Sequence, residues 1–508
     1  MENMIEDPRL LPKNDLERNE SINSVVFQEV SPVSAPTRTS TQIEFQVPAN
    51  SNGLLDLAGS YITSGCELYN TQTGANYTPD PNDAAGYNET ISFKEFLGST
   101  LWRDVKIYLN GVEVNDVHPQ LSSIASFYKR LLQDTGNNGQ ATVVNQVMLG
   151  VETLNTSGAT ASFQREGDAY VNGWKDSEGV DYHNGYINNR VTFVPTTALQ
   201  AGGLGAVRQN LMMKANSVGA TSSNPYEVVS KFSDGIFNQK SFLPANVDVR
   251  IVLTLNTPDA VVYNNDLTLP ISYSVITSKL WVKRAFPTPS AMELFNRTLA
   301  TAPLDYDVVM TKSTMRSIPS GTSSINETNL LNGVLPDRVL VAFHAKGDLT
   351  TCNHNSSQFV SSGVDRQGIG NCITSLYVNA NGRQYPQRQY DLGATGFENK
   401  NISWLRPYLD YVNSWAQMND VFPNETPPIS STQYNGAYKF FVIDLRNDGL
   451  NENGLATDLN NRGSVEVVAT QTSDTSNGSI PQTEMFVMGI YNAKVIIDAN
   501  RNVSKVGF

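Results

Sequence analysis

Apolar and polar residues alternate in short runs along most of the chain, and the runs are separated by stretches rich in Gly, Asn, Pro and Ser. Residues 41–47 put Ile43, Phe45 and Val47 on one face of a strand, because successive strand side chains point to opposite sides. Leu54-Leu55-Asp56-Leu57 and Ser60-Tyr61-Ile62 continue the pattern. At 105–114 a strand, Asn110-Gly111 and a second strand follow one another. Asn-Gly between alternating apolar runs is a strong hairpin signal, since both turn positions take positive φ. Residues 119–134 instead carry Leu121, Ile124, Phe127, Tyr128, Leu131 and Leu132 at helical spacing. Residues 135–230 are polar and Gly-rich and predict large projecting loops. Strand pattern returns at 247–255 and 273–282, and a Pro-flanked stretch from Pro287 leads into a predicted helix over 291–300.

The second half repeats this order: strands at 306–315 and 338–343, a polar loop, a strand at 375–379 running into Asn381-Gly382, and another long connection. It closes with strands at 438–445, 464–470 and 484–497. No residue-level repeat accompanies this likeness of pattern. Many strands, long turn-rich loops and few helices predict an all-β chain of two tandem eight-stranded jelly-roll β-sandwiches with long loop insertions and few short helices. In this scheme 105–109 is equivalent to 375–379, and 273–282 to 484–497. The predicted organisation is an N-terminal arm over 1–38, a first jelly roll over 39–290 and a second over 291–508. The arm has four prolines, mixed charge and one short strand-like patch, Val25-Val26-Phe27, and is expected to order only against something else.

Composition supports the β assignment and narrows the function. Of 508 residues, 40% are hydrophobic and only 17% charged, so the surface is polar through Asn, Ser, Thr and Gln rather than through ions. The formal net charge is −13, and the densest basic runs are the pairs Lys129-Arg130 and Lys283-Arg284. A chain that grips phosphates by counterion release should carry a basic face, so sequence-specific nucleic-acid binding is not expected. Three cysteines, Cys66, Cys352 and Cys372, are too few and scattered for a disulfide framework or a four-ligand zinc site. The start is acidic and has no apolar core of a secretory signal, and no run approaches the ~20 apolar residues of a membrane span. A soluble product kept in a reducing compartment is expected.

Candidate chemistry is sparse. His118, His183, His344 and His354 form no ligand spacing. Cys352 with His344 and His354 could be a metal cluster or a Cys-His pair, but a catalytic Cys needs an oriented partner and an activating setting, and a polar loop explains the three better. Gly202-Gly203-Leu204-Gly205 lacks the Lys-Ser/Thr ending of a phosphate loop. Asp365, Asp391 and Asp410 with Trp404, Tyr408 and Trp415 could line a sugar cleft, although such aromatics more often pack loops or subunit contacts. No catalytic, cofactor-binding or metal residue is assigned, and an enzyme is not expected.

Several segments, in order, resemble one family. They are 332–343 (Asn332-Gly333-Val334-Leu335-Pro336-Asp337-Arg338 and the strand after it), 376–382, 439–445, 462–467 and 492–503. In the first half, 105–114, Ser241-Phe242-Leu243-Pro244 before the next strand, and Lys279-Leu280-Trp281-Val282-Lys283 fall where corresponding elements belong. Over roughly residues 40–508 the chain resembles the hexon-like double jelly-roll major capsid proteins of the Polinton, adintovirus and virophage group. The resemblance implies a virion structural protein, assembled inside the host cell. Three chains would give six jelly rolls, a pseudo-hexagonal homotrimeric capsomer that tiles an icosahedral capsid. Neighbouring capsomers, penton and minor capsid proteins are the implied partners, with the arm on the inner side of the shell. The alternative from another class is a β-sandwich glycan-binding attachment protein or glycosidase.

Overall fold

A computed structural model of the chain describes residues 21–50, 53–77, 91–93, 97–133, 152–154, 163–165, 168–170, 191–193, 226–239, 241–264, 269–345, 373–392, 404–419, 427, 434, 440–446, 462–472, 480 and 482–508. Its two principal groups of strands have identical topology. The first comprises β1 (Ile22–Val30), β2 (Gln42–Val47), β3 (Leu54–Asn70), β4 (Trp102–Leu109), β5 (Val112–Glu113), β6 (Tyr226–Ser230), β7 (Val249–Leu255) and β8 (Ile271–Pro287). The second comprises β9 (Leu304–Ile318), β10 (Ser324–Glu327), β11 (Arg338–Ala345), β12 (Ile373–Ala380), β13 (Arg383–Asp391), β14 (Phe440–Asp444), β15 (Val465–Gln471) and β16 (Thr483–Ile497). A final strand, β17 (Val503–Val506), pairs with β16.

The sheets of the first group run β1-β8-β3-β6 and β2-β7-β4-β5, and those of the second β9-β16-β11-β14 and β10-β15-β12-β13. Each strand of the second group stands where the strand eight places earlier stands in the first. Within each group the strands pair antiparallel from the outside inward: first with last, second with seventh, third with sixth, fourth with fifth. A long hairpin wrapped on itself in this way is a jelly roll. The predicted equivalences hold, since 105–109 and 375–379 lie in β4 and β12, and the two long closing strands are β8 and β16.

The two Asn-Gly signals mark the same place in both sandwiches, the turn from fourth to fifth strand. Asn110 and Gly111 have φ of 46° and 82°, and Asn381 and Gly382 have 49° and 78°. The asparagine side chains add anchors: Asn110 Oδ1 accepts from the Asp248 amide at 2.8 Å, and Asn381 Nδ2 donates to the Arg462 carbonyl at 2.9 Å.

Residues 22–30, read from the sequence as part of an arm over 1–38, form β1 and pair with β8 from Ile22 to Val30. The first strand of the first sandwich is therefore Ile22–Val30 and not a strand beginning after residue 39. This strand escapes an alternation test because it lies on a sheet edge and every residue from Asn23 to Phe27 is exposed. Residues 1–20 lie outside the described residues, as do most of 135–230.

Each sandwich closes over its own core, and each core also borrows from the other half. The first contains Ile43, Phe45, Ile107, Leu109, Ile251 and Leu253 from one sheet and Ile62, Leu68, Val275 and Leu280 from the other. It also takes in Tyr306, Val308 and Met310 of β9 and Ala493, Val495 and Ile497 of β16. The second core holds Val339, Val341, Val378, Val467, Phe441 and Val487, and takes in α1 (Ser122–Gln133), a helix that belongs in sequence to the first half. Against α1 lies α4 (Leu405–Asn419), the last of four helices named here. Tyr411 and Asn419 of α4 donate to the carbonyls of Leu131 and Leu132 at 2.9 and 2.8 Å, satisfying acceptors that a helix C-terminus leaves open. The others are α2 (Gly235–Asn238) and α3 (Pro289–Thr301), the link between the sandwiches.

The turn glycines can be tested directly. Nothing lies within 4 Å of a Cβ built on Gly111 or Gly382, so an alanine there meets backbone strain alone. Gly111→Ala and Gly382→Ala should each lower stability by about 1–2 kcal/mol. This would be read as a reduced urea midpoint with unchanged m-value.

Candidate functional site at the junction of the two sandwiches

Among the described residues, buried ionisable groups concentrate where the two sandwiches meet. After β5 the chain crosses from the first sandwich to β9 and forms one rung of parallel pairing: the Val117 amide donates to the Thr311 carbonyl at 2.9 Å, and the Ser313 amide to the Val117 carbonyl at 3.0 Å. This rung sets Asp116 and His118 against β9. Further along the chain, α1 turns Lys129 to the same spot.

Lys129 Nζ donates to Asp116 Oδ2 at 2.6 Å and to the Val309 carbonyl at 2.8 Å. Both side chains are all but sealed from solvent, at 1% and 2% exposure. Thr311 Oγ1 donates to the same Asp116 oxygen at 2.8 Å. His118 sits between two hydroxyls, with Nε2 2.9 Å from Thr311 Oγ1 and Nδ1 2.8 Å from Ser313 Oγ. From the other side, Asp234, just before α2, accepts from the Asp116 amide at 3.0 Å. The next residue, Gly235, lies so close to β9 that a Cβ would stand 2.6 Å from the Val309 carbonyl oxygen. Helix α2 can thus approach β9 only with glycine at that position.

Burial pushes the Asp116 carboxyl up, but the Lys129 ammonium and the contacts with His118 outweigh it and hold it low, at about 2. Burial, reinforced by the Asp116 charge, pushes Asp234 up to about 7. Burial also holds the His118 imidazole below its usual value against the pull of Asp116, which leaves it neutral at pH 7. Two carboxyls driven apart in this way can mark an acid–base pair. The space beside them argues for a structural role: the cavity lined by Asp116, His118, Ser122, Ser126 and Asp234 measures about 10 Å³. That is on the order of one water molecule and admits no substrate. The cluster is a weld.

Other sequence candidates fall into packing roles. His344 is buried in the second core, its Nε2 2.9 Å from the Tyr128 hydroxyl of α1. Cys66 is a buried free thiol whose pKa burial pushes up to about 12. The aromatic residues that could have lined a sugar cleft belong to the core. Trp415 is buried, Trp404 and Tyr408 pack on the second core, and Asp410 accepts from Tyr390 at 2.6 Å. Both basic pairs are engaged internally: Arg130 donates to the Lys231 carbonyl, Lys283 pairs with Asp56 at 2.8 Å, and Arg284 bonds Gln28 and the Pro48 carbonyl. His183, His354, Cys352, Cys372, Asp365 and Gly202–Gly205 lie outside the described residues. Among the described residues no group of three or more His, Cys, Asp or Glu could hold a metal ion, and no helix is long and apolar enough to cross a membrane.

Sequence reasoning missed the Asp116–Lys129–Asp234 cluster. One signal was present: Lys129 follows Ala125 by four residues and precedes Leu132 by three, so it stands on the apolar face of α1. Its partners come from segments far apart in sequence, and no local pattern joins them.

No protein-family model and no curated protein matches the sequence. Solved structures do match in fold. The crystal structure of the mavirus major capsid protein aligns over 94% of this chain and 90% of its own, with a TM-score of 0.52 and 12% identity. The 3.5 Å cryo-EM structure of the Sputnik virophage aligns over 99% of this chain and 92% of its own, with a TM-score of 0.51 and 14% identity.

Two measurements test the weld. Lys129→Met strands the Asp116 charge in the interior and should cost about 3–5 kcal/mol, and Lys129→Met with Asp116→Asn should recover most of that loss. Calorimetric melting compares the three proteins. The pH response has a defined sign. Asp234 is protonated more tightly in the folded than in the unfolded chain, so its contribution is present at low pH and is lost as pH rises from about 4 to about 7. Asp116 contributes the reverse, present above about 4 and lost as pH falls toward about 2. Asp234→Asn keeps the acceptor oxygen, and the wild type should lose melting temperature relative to it across pH 4–7. Parallel pH profiles would remove Asp234 from this role.

Proposed function

We propose that the chain is a major capsid protein, a structural subunit that trimerises into pseudo-hexagonal capsomers and tiles an icosahedral virion shell. The observation that carries this reading is the match of a double jelly roll, over nearly the whole chain, to two virus capsid structures. Size and architecture suit such a shell. One chain supplies two sandwiches of the same topology, and three copies supply the six corners of a tile.

The surface supports it. Val25, Val26 and Phe27 of β1 are each about half exposed, at 48%, 49% and 47%, and Leu294 of α3 is 65% exposed. Leu405 and Leu409 of α4 and Val506 of β17 are exposed as well. Exposed apolar side chains on an edge strand, a linker helix and a C-terminal strand are material for neighbouring copies to cover. A role without catalysis accords with the sealed ionic cluster and with aromatic residues spent on packing. Penton and minor capsid proteins are proposed as further partners. We place the division between the two sandwiches at α3, near residue 291. A glycan-binding or glycosidase role has no observation in its favour, because the aromatic residues it needs are packed into the second core.

The purified protein should have the native mass of three chains, and negative-stain images should show a six-cornered particle. A monomer at micromolar concentration would overturn the reading, since two-domain chains make a six-sided tile only as threes.

A further inference from the structure

Beside the junction, on the second sandwich, lies a cavity of about 410 Å³ lined by Lys312, Arg462, Lys505, Tyr491, Phe508 and the 332–334 backbone, with Val117 at its edge. Its chemistry is one-sided. Three cations line it and no carboxylate side chain does. Lys312 donates to the Asn332 carbonyl at 3.1 Å, and Lys505 stands 5.5 Å above the Phe508 ring, which itself meets Tyr491 edge-on at 5.2 Å. Among the described residues none of the three cations has a carboxylate within ion-pair distance. Asp337, whose charge acts on Tyr491 and whose Oδ2 accepts from the Asn492 amide at 2.8 Å, lies near the cavity but does not line it. The volume lies in the range that holds a small ligand or a few side chains, about 300–1,000 Å³.

We propose that this cavity is a docking site for an acidic, apolar peptide, and that its occupant is the first seven residues of this same chain. Met1-Glu2-Asn3-Met4-Ile5-Glu6-Asp7 carries three carboxylates and no Lys or Arg, with Met4-Ile5 directly before Glu6-Asp7. The apolar pair suits the Tyr491–Phe508 floor, and the acidic pair suits the cations around it. Residues 8–20, fully extended, would span at most about 45 Å from Ser21. A nucleic acid fits less well: three cations around one cavity make no track for a phosphate backbone, and the net charge of the chain repels a polyanion. Docking of this kind does not require shell assembly, because the segment can seat itself in protein that never forms a particle.

The test is photo-cross-linking in the full chain, with Ile5 replaced by p-benzoylphenylalanine and the adduct mapped by mass spectrometry. Adducts at Val117, Lys312, Tyr491 or the segments around 332–334, 462 and 505–508 are expected. Arg462→Glu with Lys505→Glu should lower the yield about tenfold or more, and adding Glu6→Lys with Asp7→Lys should restore it. A blocked peptide of residues 1–8 should compete. Mixing isotope-labelled and unlabelled protein then tells a segment from the same chain from one of a neighbour, and either result upholds the site. Adducts elsewhere, no adduct, or a yield indifferent to the charge reversals overturn it. Competition by single-stranded DNA but not by the peptide also overturns it, in favour of phosphate chemistry. Circular dichroism and native mass of the reversed variants show that the loss is not one of folding.

Discussion

A lysine ammonium carried into a protein interior must be met there by a carboxylate, and the junction of the two sandwiches is built around that requirement. Lys129 enters on α1, Asp116 on the crossing from β5, and the third contact is a carbonyl of β9. Asp116 and Lys129 both belong to the first half, and the cluster they form reaches the second half through the Val309 carbonyl and the Thr311 hydroxyl of β9. These directional bonds help set the position of the two sandwiches relative to each other, alongside the apolar residues that each core takes from the other half. Apolar packing alone would leave that freer, because it is indifferent to direction. The rung from Val117 to β9 and the glycine contact of α2 add the same constraint from either side.

The borrowed core elements follow from this arrangement. Once α1 lies against β9 for the sake of Lys129, its apolar stripe faces the β16 sheet, and Tyr128 packs on Phe486 and bonds His344. In return the ends of β9 and β16 that extend beyond the second core reach the first. The outer faces of the two equivalent sheets have therefore diverged. The β9-β16-β11-β14 sheet is covered by α1 and α4, and β16 is buried without interruption from Thr483 to Tyr491. The β1-β8-β3-β6 sheet keeps an outer face of Phe27, Tyr61, Trp281 and Lys283 that solvent still reaches.

How much of this was legible in the sequence depended on whether a feature was written locally. The hairpins were, because Asn110-Gly111 and Asn381-Gly382 name the positive-φ turn in two adjacent letters. So were α1, with its helical stripe, and the central strands, where alternation is imposed by one buried face. Edge strand β1 was not: with one neighbour and an exposed middle, it obeys no burial pattern that could betray it. The ionic cluster was illegible for a different reason. Lys129 alone stands out in its segment, on the apolar face of α1, while Asp116, Asp234 and Thr311 are ordinary in theirs, and only the topology brings the four together. The resemblance to capsid subunits lay between these cases, spread over strand and turn residues that are individually common but informative in their order.

Because α1 sits in the second core and the ends of β9 and β16 sit in the first, the border between the halves in the gene is not their border in energy. Recombination that joins the first half of one lineage to the second half of another at α3 would set Lys129 against a new β9 carbonyl, Asp116 against a new residue at position 311, and Tyr128 against a new residue at position 344. Such an exchange keeps the junction intact where the second parent supplies a hydroxyl at position 311 and a hydrogen-bonding side chain at position 344. Inheritance of the two sandwiches is tied together by residues that make up a small fraction of either.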